Sequence, residues 1–383
     1  MKSPANVAYI NPQILNWART RSGLSYPQLG EALKTSAEEL AAWEHGDTRP
    51  PFDKAQKIAR VLCIPFGYLF LSNPPDLTVP IPDLRTQDER LPLSLDFLEV
   101  VNDALVKQDW YRDYLQENKG PRLKFVGSFS SEDDPDEIAA DIRRVLGMNL
   151  ALRRSAKDWG DYLSKLSSRS EEAGILIMRS GVVGNTTRRK LSSREFQGFA
   201  LTDPFAPVVF VNSEDFKAAQ VFTLIHELAH IWIGESAISH FDPTAPKQPT
   251  SAVESLCNRI TAESLVPRRE FEQAWRNADV EALTARLSRH FWVSSLVILR
   301  RAFELDKITR KEFFEHIELE RKKYKKQRAS GGNYYRNVIS RMGSQFTKAV
   351  LTEARAGNLL YRDAARLLKL KVPTLMKLSE QTK

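Results

Sequence analysis

Cysteine is nearly missing from this chain: Cys63 and Cys257 are its two examples in 383 residues. Both stand in apolar surroundings, so no disulfide framework is expected and a reducing compartment is. No run of about eighteen apolar residues occurs, and the opening residues lack the apolar core of a leader peptide. Neither a membrane span nor export is therefore expected, and the cytoplasm is the expected location. Histidine is also scarce, with six. Acidic charge is sparse at one end only. The net charge is +8, yet residues 321–383 hold 16 Lys and Arg against 3 Asp and Glu, so the first 320 residues stand at −5. The basic excess belongs to the tail. The length leaves room for two or three domains.

Against that scarcity, two of the six histidines lie four apart in His226-Glu227-Leu228-Ala229-His230, and Glu254 follows 24 positions after the second. Residues i and i+4 of a helix lie one above the other, so both imidazoles can point at one metal. The lead-in from Phe216 to Ile225 holds neither Pro nor Gly, and Gly234 is a natural stop. A bare H-E-x-x-H also fits a buried helix with two hydrogen-bonded histidines. Glu254 and Asn258 are i and i+4 on a second expected helix, 252–265, ended by Val266-Pro267. This arrangement resembles the gluzincin class, and the resemblance makes His226, His230 and Glu254 the ligands of a Zn2+ ion. Such a metal keeps a fourth position for water and lowers its pKa towards ~7. Glu227, off the ligand line, is then the general base. Asn258 is a candidate to orient a ligand from outside the metal shell, with helix packing as the alternative. His240 is the candidate donor to an oxyanion, against a plain loop histidine.

Residues 11–73 carry a second pattern. Ile14, Leu15 and Ala18 mark a first helix closed by Gly23, and Ser25 caps a second, 27–33. Ser36-Ala37-Glu38-Glu39 reads as a capping box opening a third that ends at Glu44-His45-Gly46. Helices over 52–62 and 66–71 complete five. The segment resembles the XRE/Cro repressor family through Leu24-Ser25, Leu29-Gly30, Trp43-Glu44-x-Gly46, Pro50 and Ile64-Pro65. That resemblance puts the third helix in a major groove of double-stranded DNA. Gln28 and Arg49 are candidate phosphate contacts, and Ser36 and Glu38 stand at the reading end of the helix. The outward positions of that helix, Ala37, Glu38, Glu39, Ala41 and Ala42, are poor readers of DNA, and residues 1–75 hold 8 basic against 6 acidic side chains. Docking on protein through the same fold is the alternative.

Four prolines within residues 73–83 indicate a stiff connector. Helices are expected over 95–116, 136–146 and 156–173, a buried strand over 174–178, and a strand pair at 196–201 and 207–212. Strands beside the metal helix can hold a peptide as an added strand, or simply shield the helix. Pro82-Asp83-Leu84-Arg85-Thr86, Glu195-Phe196-Gln197-Gly198-Phe199, the metal motif and the stretch 254–267 resemble the ImmA/IrrE metallopeptidases, in the subgroup where an XRE domain comes first. The resemblance implies the same three ligands, the same catalytic Glu227, and a regulator that cleaves or antagonises a repressor or acts as an antitoxin. Cys257 stands where that family commonly has Ala.

In the tail, a basic run at 321–328 precedes Ser330-Gly331-Gly332-Asn333. One amphipathic helix is expected over 335–353. Beyond it, Ala364-Ala365 before Leu367-Leu368, a basic turn and a new helical start echo a helix-turn-helix core that would touch nucleic-acid phosphates or an acidic partner. The expected fold is α+β and mostly α. It comprises a five-helix domain at 1–75, a linker at 76–94, a zincin-like domain with a small sheet at 95–328, and a basic helical element at 329–383. The expected function is a cytoplasmic DNA-binding regulator, a homodimer on its operator, whose zinc endopeptidase site acts on one protein partner, a repressor or toxin. The competing expectation is an antitoxin or repressor that uses the peptidase fold as a docking scaffold.

Overall fold

The computed structural model describes residues 6–62, 64–75, 79, 81–84, 93–239, 241, 243–244, 251–276, 279–323 and 334–381. The protein is α+β and mostly helical, and it divides into two compact units, residues 1–80 with 91–101 and residues 81–90 with 102–383. No helix among the described residues is long and apolar enough to cross a membrane.

The first unit holds α1 (Pro12–Arg21), α2 (Tyr26–Leu33), α3 (Ala37–His45) and α4 (Phe52–Val61). The expected fifth helix is one 3-10 turn, Phe66–Phe70, too short for the i→i−4 ladder. Asn11, Ser25 and Ser36 each accept a backbone N–H of the helix they cap. Ser25 and Gln28 complete a reciprocal capping box, whereas Ser36 accepts from Glu39 N–H alone. Between α2 and α3 the chain turns through Lys34 in the left-handed region, φ 54°. Leu15, Leu29, Leu40, Trp43 and Ile58 fill the centre. The Glu44 carboxylate is also buried there, accepting from Arg19 Nε at 2.6 Å, Asn16 Nδ2 at 3.0 Å and Tyr26 Oη at 2.8 Å. A buried charge is tolerated because several donors replace its water.

Helix α5 (Leu95–Glu117) crosses the boundary between the units. The second unit continues with α6 (Pro135–Leu146), α7 (Leu150–Ser155) and α8 (Trp159–Glu172), then β1 (Leu176–Ser180), β2 (Gly198–Leu201) and β3 (Val208–Asn212). The helix expected from residue 156 starts later because Asp158 caps it, accepting from Asp161 N–H. Next come α9 (Lys217–Ile233), β4 (Ala237–Ser239) and α10 (Ala252–Leu265). A helical layer follows: α11 (Arg268–Ala274), α12 (Val280–Phe291), α13 (Ser295–Glu304) and α14 (Arg310–Lys323). The tail forms α15 (Tyr334–Met342), α16 (Ser344–Ala356), α17 (Tyr361–Leu367) and α18 (Val372–Gln381). The single helix expected over 335–353 is thus two, broken at Gly343, whose φ of 85° no helix interior allows.

The sheet runs β1-β3-β2-β4, with β1 parallel to β3 and β2 antiparallel to both β3 and β4. Strands β2 and β3 are buried along their whole length, which is why they read as continuous apolar runs. Helix α9 packs on the sheet and between α6, α8 and α10, buried from Gln220 to Ile233. A helix apolar all round can lie nowhere else. It stops at Gly234, φ 77°, as expected.

Candidate metal centre

Two helices bring the ligands together. His226 and His230 project from α9 with relative exposures of 1 % and 0 %, and Glu254 from the first turn of α10 with 2 %. Ser251 caps α10 by accepting Glu254 N–H, which places that carboxylate at the third position of a defined helix start. The two imidazole Nε2 atoms lie 3.3 Å apart, and Glu254 reaches them at 3.2 Å (His226) and 3.3 Å (His230). Donors about 2.05 Å from one tetrahedral ion stand about 3.3 Å apart, so the three atoms already hold the spacing of three corners of a zinc tetrahedron. These three are the group among the described residues that could hold a metal ion.

The electrostatics match. Burial would raise the Glu254 carboxyl, but the facing imidazoles outweigh it and hold the group at about 2. Burial pushes His230 down, against the pull of Glu254. Anionic carboxylate and neutral imidazole are the forms a metal needs. Glu227 is fully buried, and its carboxyl is driven well above the usual range by burial and then by Glu254. Two carboxylates facing one another in a dry pocket call for a divalent countercharge.

Glu227 stays outside the ligand triangle and touches Ser239, whose hydroxyl donates to Glu227 Oε2 at 3.4 Å. The same Ser239 Oγ is 3.3 Å from His230 Nε2 and 3.4 Å from Glu254 Oε1. Sequence reading overlooked Ser239, because a strand of three residues shows no alternation; its neighbour His240, the oxyanion candidate, lies outside the described residues. Gly198 of β2 is the other hidden member. A methyl group there would stand 2.6 Å from Glu227 Oε1, 2.7 Å from Thr223 Cγ2 and 2.9 Å from Phe210 O. Asn258 sits one turn beyond Glu254, 9 % exposed, and its amide oxygen has no hydrogen-bond partner among the described residues. The Nδ1 atoms of both histidines are likewise buried and unpartnered there. Burial pushes the Cys257 thiol well up, so it packs as a small apolar side chain.

An added peptide strand meets a constraint here. Strands β2 and β3 are internal, and α15 packs on β1. The outer edge of β4 carries residues 82–84: Ile238 N–H donates to Pro82 O at 3.0 Å and Leu84 N–H to Ile238 O at 3.3 Å. Part of the Pro-rich connector is therefore an ordered partner of the sheet.

The DNA-contact candidates lie in the first unit. Gln28 spends its carbonyl oxygen on the Ser25 cap, which leaves its amide NH2 outward. Ser36 caps α3, Glu38 is exposed in its first turn, and the Arg49 guanidinium lies 3.9 Å over the Tyr9 ring.

Comparison with known families agrees with this division. Residues 15–69 match the helix-turn-helix family model, residues 170–303 the IrrE N-terminal-like domain of the M78 peptidases, and residues 342–381 a domain of unknown function. No curated protein and no solved structure matches the chain. The chain is thus an XRE-type helix-turn-helix domain fused to a metallopeptidase-like domain of the ImmA/IrrE kind.

Proposed function

We propose that this protein is a transcriptional regulator whose helix-turn-helix domain binds operator DNA and whose M78 domain is a zinc-dependent endopeptidase acting on one partner protein, a repressor or a toxin. The observation that carries the reading is the convergence of His226, His230 and Glu254 at zinc spacing with Glu227 beside them and outside the triangle. Zinc held there supplies Lewis acidity, which lowers the pKa of water and polarises a carbonyl. Glu227 receives the water proton at its carboxylate and returns it to the leaving amine. Ser239 holds Glu227 Oε2 from the sheet side and fixes its direction. In this reading the chain works in the cytoplasm as a homodimer, the form in which helix-turn-helix proteins meet palindromic sites, with Gln28, Ser36, Glu38 and Arg49 at the DNA face.

A second reading has its own support. His226, Glu227, His230 and Glu254 are all at most 2 % exposed, and the β4 edge is occupied. A centre so enclosed also suits an antitoxin or repressor that uses the peptidase fold to dock its partner. Glu227→Gln separates the two. Zinc stoichiometry should stay near one, while new protein N-termini that appear in cells expressing the parent should vanish. Cleavage at the parental rate by Glu227→Gln removes the general-base assignment. Toxin neutralisation that survives the substitution, with no new N-termini in either strain, selects the scaffold.

A further inference from the structure

The helix-turn-helix skeleton of the first unit occurs a second time, at the far end of the chain. In the first copy the turn residue is Lys34, φ 54°; in the second it is Lys369, φ 52°. The next helix starts three residues later in each, at Ala37 and at Val372. The residue four before the turn is small and buried, Gly30 or Ala365, and the one just before it is a buried Leu33 or Leu368. Six and nine residues after it come Leu40 and Trp43, or Leu375 and Leu378, all buried. The turn hydrogen bonds correspond as well. Thr35 N–H donates to Gly30 O at 3.0 Å and Leu370 N–H to Ala365 O at 2.8 Å, while Lys34 N–H and Lys369 N–H donate to Glu31 O and Arg366 O at 3.3 and 3.1 Å. A shared backbone with four shared core positions is what makes this motif rigid.

The outward faces differ in sign. On α2 and α3, Glu31, Glu38 and Glu39 are exposed beside the turn residue Lys34. On α17 and α18, the exposed side chains include Arg362, Arg366, Lys371 and Lys377, with Glu380 at the far end of α18. Arg362 and Arg366 are i and i+4, so they share one face of α17, the helix that in this motif crosses the DNA backbone. Lys371 stands at the entrance of α18, where phosphate or base edges are met, and exposed Met376 is an apolar side chain of the type that meets thymine methyl groups. The element is anchored elsewhere. Glu171 accepts Ser344 N–H at the start of α16, Asn185 Nδ2 donates to Lys369 O at 2.9 Å, and Lys369 pairs with Asp103 at 3.2 Å. These bonds use the turn and α16 and leave the outward face of α18 exposed.

We propose that residues 344–381 are a second helix-turn-helix module that binds double-stranded DNA through Arg362, Arg366, Lys371 and Lys377, and that this cationic face supplies most of the chain's electrostatic grip on DNA. It shares with the proposed function only the claim that the chain binds duplex DNA. The test uses the full-length protein and a fluorescent mixed-sequence duplex, with anisotropy read across a salt series. Each phosphate contact contributes about 0.9 to the slope of log affinity against log salt, hence about eightfold in affinity near 0.1 M salt. Lys371→Gln/Lys377→Gln should therefore weaken binding by about sixtyfold and flatten the slope by about 1.8. Arg362→Gln/Arg366→Gln, on a different helix, should do about the same, and all four residues are exposed, so melting should not move. Glu31→Gln/Glu39→Gln should leave the slope unchanged or steepen it. If both C-terminal pairs leave affinity and slope at parental values while Arg49→Gln weakens binding, this proposal fails and the regulator reading stands. Absence of any duplex binding at low salt overturns both.

Discussion

Replacing Gly198 by alanine puts the packing of Glu227, the proposed general base, to a direct test. The added methyl would stand 2.6 Å from Glu227 Oε1, 2.7 Å from Thr223 Cγ2 and 2.9 Å from Phe210 O. Relaxed carbon–oxygen and carbon–carbon contacts need roughly 3.3 to 3.8 Å, so about 0.7 Å must be found on two sides. The Phe210 carbonyl belongs to β3, which pairs with β2 at this register and cannot retreat without opening the ladder. Glu227 is fully buried, so any retreat of its side chain displaces it from Ser239. Overpacking of this kind costs about 1–3 kcal/mol. In a domain of this size each kcal/mol lowers the melting midpoint by about 2–4 °C, so the transition should fall by about 2–12 °C. Zinc stoichiometry should hold, because β2 supplies no ligand. Proteolysis, where a substrate is in hand, should drop by about a hundredfold, the penalty for a catalytic group displaced by close to 1 Å. Thr223→Ser in the Gly198→Ala background removes the Cγ2 contact and should recover part of the lost stability. A melting midpoint within 1 °C of the parent (about 0.3 kcal/mol) would falsify the claim that Gly198 is there to let Glu227 approach the sheet.

Three other expectations are quicker to check. Glu44→Ala leaves the Arg19 guanidinium, which it binds at 2.6 Å, without its anionic partner, and breaking such a buried pair costs about 3–5 kcal/mol. Hydrogen exchange should then speed up throughout α1–α4 while α9 keeps its protection; unchanged exchange in α1–α4 refutes the role given to Glu44. His230, pushed down by burial, should titrate below the ordinary imidazole value of ~6.5 in metal-free protein, as read by imidazole NMR. With a folded value below the unfolded one, its contribution to stability is present above about pH 6.5 and is lost as pH falls. Glu254, held at about 2, adds a further loss on the acid side. Glu227, whose carboxyl is raised, works in the opposite sense between those ranges. The His230 assignment is therefore checked in a Glu227→Gln background: metal-free protein of that variant that grows more stable from pH 7 to pH 5 contradicts it.

Much of the centre was legible because helical spacing is a local property. His226 and His230 had to share a face of α9, and Val266-Pro267 bounded the end of α10. Gly234 and the caps at Ser25 and Ser36 were equally local. Ser239 and Gly198 were not, since each acts only through an element far away in the chain. Glu227 meets Ser239 because β4 lies beside β2, a pairing no short-range pattern encodes. The break at Gly343 was hidden for a related reason. Apolar residues on both sides of it keep a helical period, and only the left-handed glycine, with Ser344 N–H bound to Glu171, ends one helix and starts the next.

Residue order alone therefore decided which helices could form, where most of them stop, and which two histidines share a face, because 3.6-residue periodicity and capping act within a few positions. Tertiary structure decided what completes the centre: that Glu254 closes the triangle, that Glu227 stays outside it, and that Ser239 and Gly198 leave it just enough room. Those outcomes depend on distances between elements dozens of residues apart, which side-chain packing sets and which no stretch of neighbouring residues contains.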